Sequence, residues 1–356
     1  MAGTGSAAGF AGAGEVDAAA TGGSAGSSGT TGGAAGAGAA AGAAGSAGSS
    51  PYGVVGRSCS EMTGTECQGE DCCSRALIPG GTFPMGRSAG ALDACPSGMS
   101  CASNEVPEHD ATVQSFFLDE YEVTVGRFRA FVQQFDGTPP PQGAAAHPSI
   151  TGSGWKTEWD AFLPDTQADL VAGLRCHDTF QTWRDTPGAA EVMPINCVSW
   201  YEAFAFCAWD GGRLPTEGEW EYAAAGGEQN RLYPWGQEAP SQTFAVFECK
   251  HDPGTECVFE DIAPVGSLPA GAGRWGQKDL AGNMYEWTLD WHFAGWYAGA
   301  GNPCDLCANL TDGLGRTVRG GEFAHADLSL RATFRDFDDP SQHLGSVGFR
   351  CAGSPP

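Results

Sequence analysis

Cysteine is the residue type whose number and spacing carry the clearest chemical prediction in this chain. There are 14 cysteines, an even number in an acidic, loop-rich sequence, which favours disulfides formed in an oxidising compartment. The Cys-x-x-Cys spacing at 304–307 also fits half of a zinc site, but no second pair is obvious nearby, so disulfides are preferred. Short spacings predict three small closed loops: Cys95 with Cys101, Cys249 with Cys257, and Cys304 with Cys307. A further cluster of four cysteines can pair in three ways; its members are Cys59, Cys67, Cys72 and Cys73.

Composition limits the partners and divides the chain. The 356 residues include 18 basic and 43 acidic side chains, a net charge of −25, which counts against nucleic acid or an anionic membrane surface as partner. Of the first 50 residues, 41 are Gly, Ala or Ser, so 1–50 is predicted to be a disordered linker. A cysteine-rich collar at 51–76 and a folded domain at 77–352 follow. No apolar run approaches the ~20 residues of a spanning helix.

Local signals place the elements of the folded part. The segment 115–122 (SFFLDEYE) predicts a strand that leads to a helix capped by Thr124. Two capping boxes, at 199–202 and 216–219, begin two further helices, and each of these ends at a pair of glycines. Short helices inside a sequence of short strands and many turns predict an α+β domain with much irregular structure.

Eight segments occur in a characteristic order along the folded part. They are IPGGTFPMG (78–86), FFLDEYEVTVGRFRAFV (116–132), PINCVSWYEAFAFCAW (194–209), GRLPTEGEWEYAAAGG (212–227), YPWG (233–236), DLAGNMYEW (279–287), RGGEF (319–323) and GFRCA (348–352). Together they resemble the formylglycine-generating enzyme family, the sulfatase-modifying factors. The resemblance covers about residues 77–352, and it implies one domain with a variant C-type-lectin-like fold that binds calcium and is braced by disulfides.

The chain departs from this family at its copper site. Active members are similar in using two cysteines after RGG to bind Cu(I), activate O2 and oxidise a sulfatase cysteine to formylglycine, a task that suits soft thiolates. Here residues 322–350 contain no cysteine. Glu322 stands where a serine is usual, and Tyr285 replaces the usual aromatic of the WEW run. We therefore predict that copper does not bind and that no catalytic residue remains.

Two histidines are the weak candidates for a replacement metal site. His325 and His343 lie 18 residues apart, and neutral imidazole favours Cu(II) over Cu(I). The preferred interpretation is that both are ordinary polar surface residues.

The resemblance also implies a calcium site in the loop DLAGNMYE. By residue-for-residue correspondence the ligands are the side chains of Asp279 and Glu286 and the carbonyl oxygens of Gly282 and Met284. Hard Ca²⁺ takes oxygen ligands, and a glycine allows the tight turn that points carbonyls inward. The alternative is that the two acids only cap a turn.

Two longer bridges and a set of arginines complete the site predictions. The family pairs the cysteines that correspond to Cys207 and Cys351, with a buried free thiol at Cys207 as the alternative. Cys176 with Cys197 is a further predicted bridge. Buried or half-buried ion pairs, rather than catalysis, are the preferred role of Arg319, Arg331, Arg335 and Arg350.

Three functions stay open at this point. The preferred one is an extracytoplasmic peptide- or protein-binding member of the family without oxidase activity. The others are a formylglycine-generating oxidase that uses a non-standard site, and a structural envelope protein. No signal peptide follows Met1, so we hypothesise that the true start lies upstream and that the linker tethers a secreted or lipid-anchored domain to the envelope.

Overall fold

The computed structural model describes residues 56–61, 66–311 and 313–355, and the predicted linker at 1–50 lies outside them. Helices and strands alternate with long irregular connections in this part of the chain. Its α-helices are α1 Arg57–Glu61, α2 Val125–Gln134, α3 Gln167–Gly173, α4 Trp200–Trp209 and α5 Glu217–Ala224. Its strands are β1 Glu66–Cys67, β2 Glu70–Asp71, β3 Arg75–Ile78, β4 Gly81–Met85, β5 His109–Val113, β6 Phe116–Asp119, β7 Tyr285–Trp291, β8 Cys304–Asp305, β9 Arg316–Arg319, β10 Arg335–Asp338, β11 Val347–Gly348 and β12 Ala352–Gly353.

The strands form four small sheets. The largest has the order β10-β9-β7-β11, and two three-stranded sheets have the orders β12-β6-β3 and β4-β5-β8, while β1 pairs with β2. Pairing is antiparallel except for β11 with β7 and β5 with β8. The α+β class, the low content of regular structure and the disulfide bracing predicted from the sequence are confirmed.

Capping determines where the helices begin, as predicted. The Thr124 hydroxyl accepts a hydrogen bond from the backbone N–H of Arg127 at the start of α2. Ser199 with Glu202 and Thr216 with Glu219 form reciprocal capping boxes on α4 and α5. The apolar faces of α2 and α4 then pack into the main core, where Phe128 stacks on Phe206 with ring centroids 5.4 Å apart.

Seven disulfides pair all fourteen cysteines, each of which lies in the described part of the chain. Two bridges resolve the cluster of four, and five have the partners named from the sequence. They are Cys59–Cys73, Cys67–Cys72, Cys95–Cys101, Cys176–Cys197, Cys207–Cys351, Cys249–Cys257 and Cys304–Cys307. The Cys207–Cys351 bridge joins α4 to the C-terminal segment.

The described part of the cysteine-rich collar is attached to the domain by hydrogen bonds. The backbone N–H of Ser58 donates to Asp210 over 2.7 Å, and the buried guanidinium of Arg127 donates to both the Ser58 hydroxyl and Asp210. The boundary predicted between residues 76 and 77 falls inside β3, which pairs with β6. Among the described residues, no helix has the length and apolar character that crossing a bilayer requires.

Candidate functional site

The segment after Arg319-Gly320-Gly321 follows the end of β9 and returns as β10 at the edge of the largest sheet. Both glycines have positive φ, 96° and 74°. A side chain at Gly321 would begin 2.5 Å from the hydroxyl of Ser329, so only glycine permits this close return of the chain.

Carboxylates and aromatic rings line this segment, and no thiol does. Glu322 is 3 % exposed, and its carboxylate lies 2.7 Å from Nδ1 of His325 and accepts a hydrogen bond from the backbone N–H of Ala324. The hydrogen bond between the Glu322 carboxylate and the His325 imidazole raises the pKa of His325 above its ordinary value. The imidazole therefore carries its positive charge to a higher pH than a free histidine does.

Tyr285 lies beside this pair on the neighbouring central strand. Its ring meets His325 edge-on with centroids 5.5 Å apart and stacks with Phe334 at 6.4 Å. Burial, together with the charges of Asp336 and Glu322, raises the pKa of the Tyr285 hydroxyl. The ring of Tyr285 is thus an apolar surface next to the carboxylates of Glu322, Asp336 and Asp338.

Asp336 and Asp338 project from the same face of β10, because strand side chains alternate and Arg335 and Phe337 point the other way. Burial and the charge of Asp336 raise the pKa of Asp338 to about 6, whereas His325 opposes this shift. We call the surface formed by Tyr285, Glu322, His325, Phe334, Asp336 and Asp338 the acidic face.

The second histidine candidate lies in a different environment. Nε2 of His343 is 2.9 Å from the carboxylate of Glu202 on α4. Burial lowers the pKa of His343, but the hydrogen bond to Glu202 and the negative charge of Glu202 together outweigh it, and the pKa is raised overall. Each histidine therefore has its own carboxylate, and the described residues contain no group of three or more His, Cys, Asp or Glu side chains that could hold a metal ion.

The loop predicted to bind calcium turns sharply. Asp279 and Asn283, like Gly282, have positive φ, at 56°, 64° and 81°. Such strain in non-glycine residues is typical of ligand sites. A side chain at Gly282 would begin 2.2 Å from the carbonyl oxygen of Val246, so this position requires glycine.

The carboxylates around this loop match a cation site only in part. Both oxygens of Glu286 accept hydrogen bonds from the Arg350 guanidinium, at 2.6 and 2.7 Å, so Arg350 already neutralises this acid. Asp279 accepts one hydrogen bond, from the backbone N–H of Gly266 at 2.6 Å. Burial raises the pKa of Asp279 to about 6. Asp279 therefore keeps acceptor capacity that a cation could use, whereas both oxygens of Glu286 are engaged by Arg350.

Sequence reasoning missed a third acid at this loop, Glu122. This fully buried carboxylate accepts hydrogen bonds from the Asn283 amide and the Met284 backbone N–H, at 2.8 and 3.1 Å. Burial, followed by the charge of Asp279, raises its pKa well above the ordinary value. Glu122, Asp279 and Glu286 thus leave more negative charge than Arg350 balances. Glu122, the last residue of the predicted strand segment 115–122 and the neighbour of the apolar Val123, was the available signal.

The arginines named from the sequence form buried ion pairs, as predicted. Arg331 holds Glu105 through two hydrogen bonds of 2.6 Å, and Arg335 holds Glu217 through two of 2.7 Å. Both guanidinium groups are fully buried. They anchor the loop and strand that carry the acidic face.

A cleft of about 470 Å³ lies elsewhere, between α2, α4 and the proline-rich turn at 139–141. Phe131, Phe135 and Trp209 contribute its apolar lining. None of its lining residues belongs to the acidic face or to the calcium loop.

Comparison with known proteins gives concordant results. The sulfatase-modifying factor enzyme 1-like domain matches residues 61–355. The inactive C-alpha-formylglycine-generating enzyme 2 of Mus musculus is 30% identical over 295 residues, which cover 78% of this chain and 84% of that protein. The formylglycine-generating enzyme of Streptomyces coelicolor is 32% identical over 295 residues, covering 77% and 87%. The structure of PvdO from Pseudomonas aeruginosa shares the fold, with a TM-score of 0.53 and 23% identity over 78% of this chain and 93% of that one.

Proposed function

This chain belongs to the family of the sulfatase-modifying factor enzyme 1-like domain, and we propose that it is an extracytoplasmic member that binds peptides or proteins and has lost copper-dependent oxidation. One observation carries the proposal: every cysteine is in a disulfide, and residues 322–350, which follow Gly321, contain none. No thiolate pair stands at the family's position after Arg319-Gly320-Gly321 to select Cu(I). The relatives include both a protein named inactive and one named formylglycine-generating enzyme, so the proposal rests on the cysteines of this chain. Seven disulfides favour an oxidising compartment.

The acidic face is the surface that we assign to peptide binding. It combines half-buried carboxylates at Asp336 and Asp338 with the aromatic rings of Tyr285 and Phe334. Negative charge beside aromatic rings attracts a guanidinium or ammonium group by Coulomb and cation–π forces. The expected ligand is therefore an extended peptide with a Lys or Arg side chain.

Anaerobic titration with Cu(I), followed by incubation with a cysteine-containing sulfatase peptide and oxygen, tests the loss of oxidation. We expect no stoichiometric copper binding and no formylglycine by mass spectrometry. An aldehyde on the peptide would refute the proposal and favour the alternative, an oxidase with a non-standard site at His325 or His343.

Selection from a random peptide library on the purified protein tests the binding role. We expect enrichment of Lys- or Arg-containing peptides. The double variant Asp336→Asn/Asp338→Asn should weaken binding by about 1 kcal/mol per removed charge, roughly fivefold each. Asp339→Asn is the matched control, because Asp339 is exposed and bonds Ser341 within its own turn. A structural envelope protein would enrich no sequence.

Calcium is a separate part of the proposal. The single hydrogen bond of Asp279 and the neighbouring buried carboxyl group of Glu122 support it. Chelation should lower the melting temperature, because a ligand that binds only the folded state adds about 2.7 kcal/mol at 100 times its Kd. Asp279→Ala should abolish this calcium dependence, whereas the exposed Asp178→Ala should retain it. Equal calcium responses in both variants would show that the site is elsewhere.

A further inference from the structure

The two cysteines of the Cys304–Cys307 bridge differ in their exposure to solvent. Cys304 lies in β8, the edge strand of its sheet, and is 4 % exposed, whereas Cys307 is half-buried in the connection that follows. Both border a surface depression of about 10 Å³, the size of one water molecule. Cys307 is thus the more exposed cysteine of the bridge, and we expect an incoming thiol to attack it rather than Cys304.

The buried sulfur lies against the first turn of α5. A methyl group at Gly218, the second residue of this helix, would lie 3.9 Å from Sγ of Cys304. A helix N-terminus carries partial positive charge and stabilises a nearby thiolate. Of the acids at this turn, Glu217 pairs with Arg335 and Glu219 with Arg213. Asp290 accepts a hydrogen bond from the backbone N–H of Glu217 over 2.7 Å, so the positive partial charge that acts on Cys304 is smaller than at an uncapped helix.

We propose that Cys304–Cys307 is a redox-active disulfide that exchanges with the thiol of a cysteine-containing peptide or of a small molecule. The thiol R–SH attacks Sγ of Cys307, an R–S–Sγ bond forms, and the Cys307–Cys304 bond breaks. Cys304 leaves as the thiolate and receives the proton lost by R–SH, which gives one mixed disulfide and one new thiol. A leaving thiolate that is stabilised accelerates this step.

Another surface bridge provides an internal control. Cys95 and Cys101 are both half-buried and close a loop of similar length, with a separation of 6 residues against 3. They lie in an irregular connection between β4 and β5, with no α-helix in it. Equal reactivity of the two bridges would mean that α5 and the one-sided access contribute nothing.

The test is a redox titration of the unmodified protein in glutathione buffers of stepped ratio, with maleimide trapping and peptide mass spectrometry. We expect Cys304 and Cys307 to be labelled at least about tenfold more than Cys95 and Cys101 at intermediate ratios. Circular dichroism at each step verifies that the protein stays folded. Labelling of both pairs together, or of neither before unfolding, would overturn the proposal.

Single variants test the order of attack. Cys304→Ser leaves the accessible thiol, so this protein should form a mixed disulfide with a cysteine peptide. Cys307→Ser leaves the buried thiol and should react at least about tenfold more slowly. Equal rates, or faster reaction of Cys307→Ser, would contradict the assigned direction.

Discussion

Removal of the Cys207–Cys351 bridge should destabilise this protein more than removal of any of its short bridges. The bridge closes a loop of 144 residues. In the chain-entropy relation, ΔS ≈ −2.1 − 1.5R ln n, this loop corresponds to about 5 kcal/mol at 25 °C. The bridge between Cys304 and Cys307, with a separation of 3 residues, corresponds to about 1.6 kcal/mol by the same relation.

The assay compares two double variants, Cys207→Ala/Cys351→Ala and Cys304→Ala/Cys307→Ala, with the unmodified protein by urea unfolding. We expect the first to lose about 3 kcal/mol more than the second. Cys207 and Cys351 are also fully buried, so a cavity adds to the loss. Equal losses in the two variants would refute the argument from loop length.

Three further predictions concern single positions. Burial and Glu217 raise the pKa of Asp290 to about 7, so the folded state binds an extra proton. The extra proton stabilises the folded state by at most about 4 kcal/mol; this stabilisation is complete below pH 4 and is lost as the pH rises through 7. Asp290→Asn should flatten the dependence of the melting temperature on pH over this interval. Gly282→Ala should lower the unfolding free energy by over about 2 kcal/mol relative to Gly276→Ala, because both have positive φ but only Gly282 has a backbone contact. Glu105→Gln should cost about 3–5 kcal/mol in thermal or urea unfolding, because it leaves a buried guanidinium without its carboxylate.

Local signals predicted well those features that depend on adjacent residues. Thr124 and the capping boxes at 199–202 and 216–219 satisfy backbone N–H groups within one turn, so the sequence alone contains both partners. The short disulfide loops could be predicted for the same reason, because cysteines that are close in sequence cannot move far apart in the fold. The long Cys207–Cys351 bridge was accessible only through the family resemblance.

Features that depend on distant segments were missed for a physical reason. Asp336 and Asp338 lie on the same face of the sheet as Tyr285 because β10, β9 and β7 are consecutive strands of that sheet. The order of strands in a sheet cannot be derived from the local periodicity of the sequence. Arg350 neutralises Glu286 from 64 residues away, which weakened a ligand that the loop motif alone had suggested. Charge compensation of this kind requires knowledge of the fold.

The link between α4 and the last strand also determines how the molecule responds to mechanical force. A pull applied between the two chain ends passes through the Cys207–Cys351 sulfur atoms and bypasses the 144-residue separation between them. At ~3.5 Å per residue, about 500 Å of contour length stays hidden from extension until the bridge is reduced. The calcium loop and the acidic face both lie within this shielded portion and remain unloaded while the remainder of the chain is stretched.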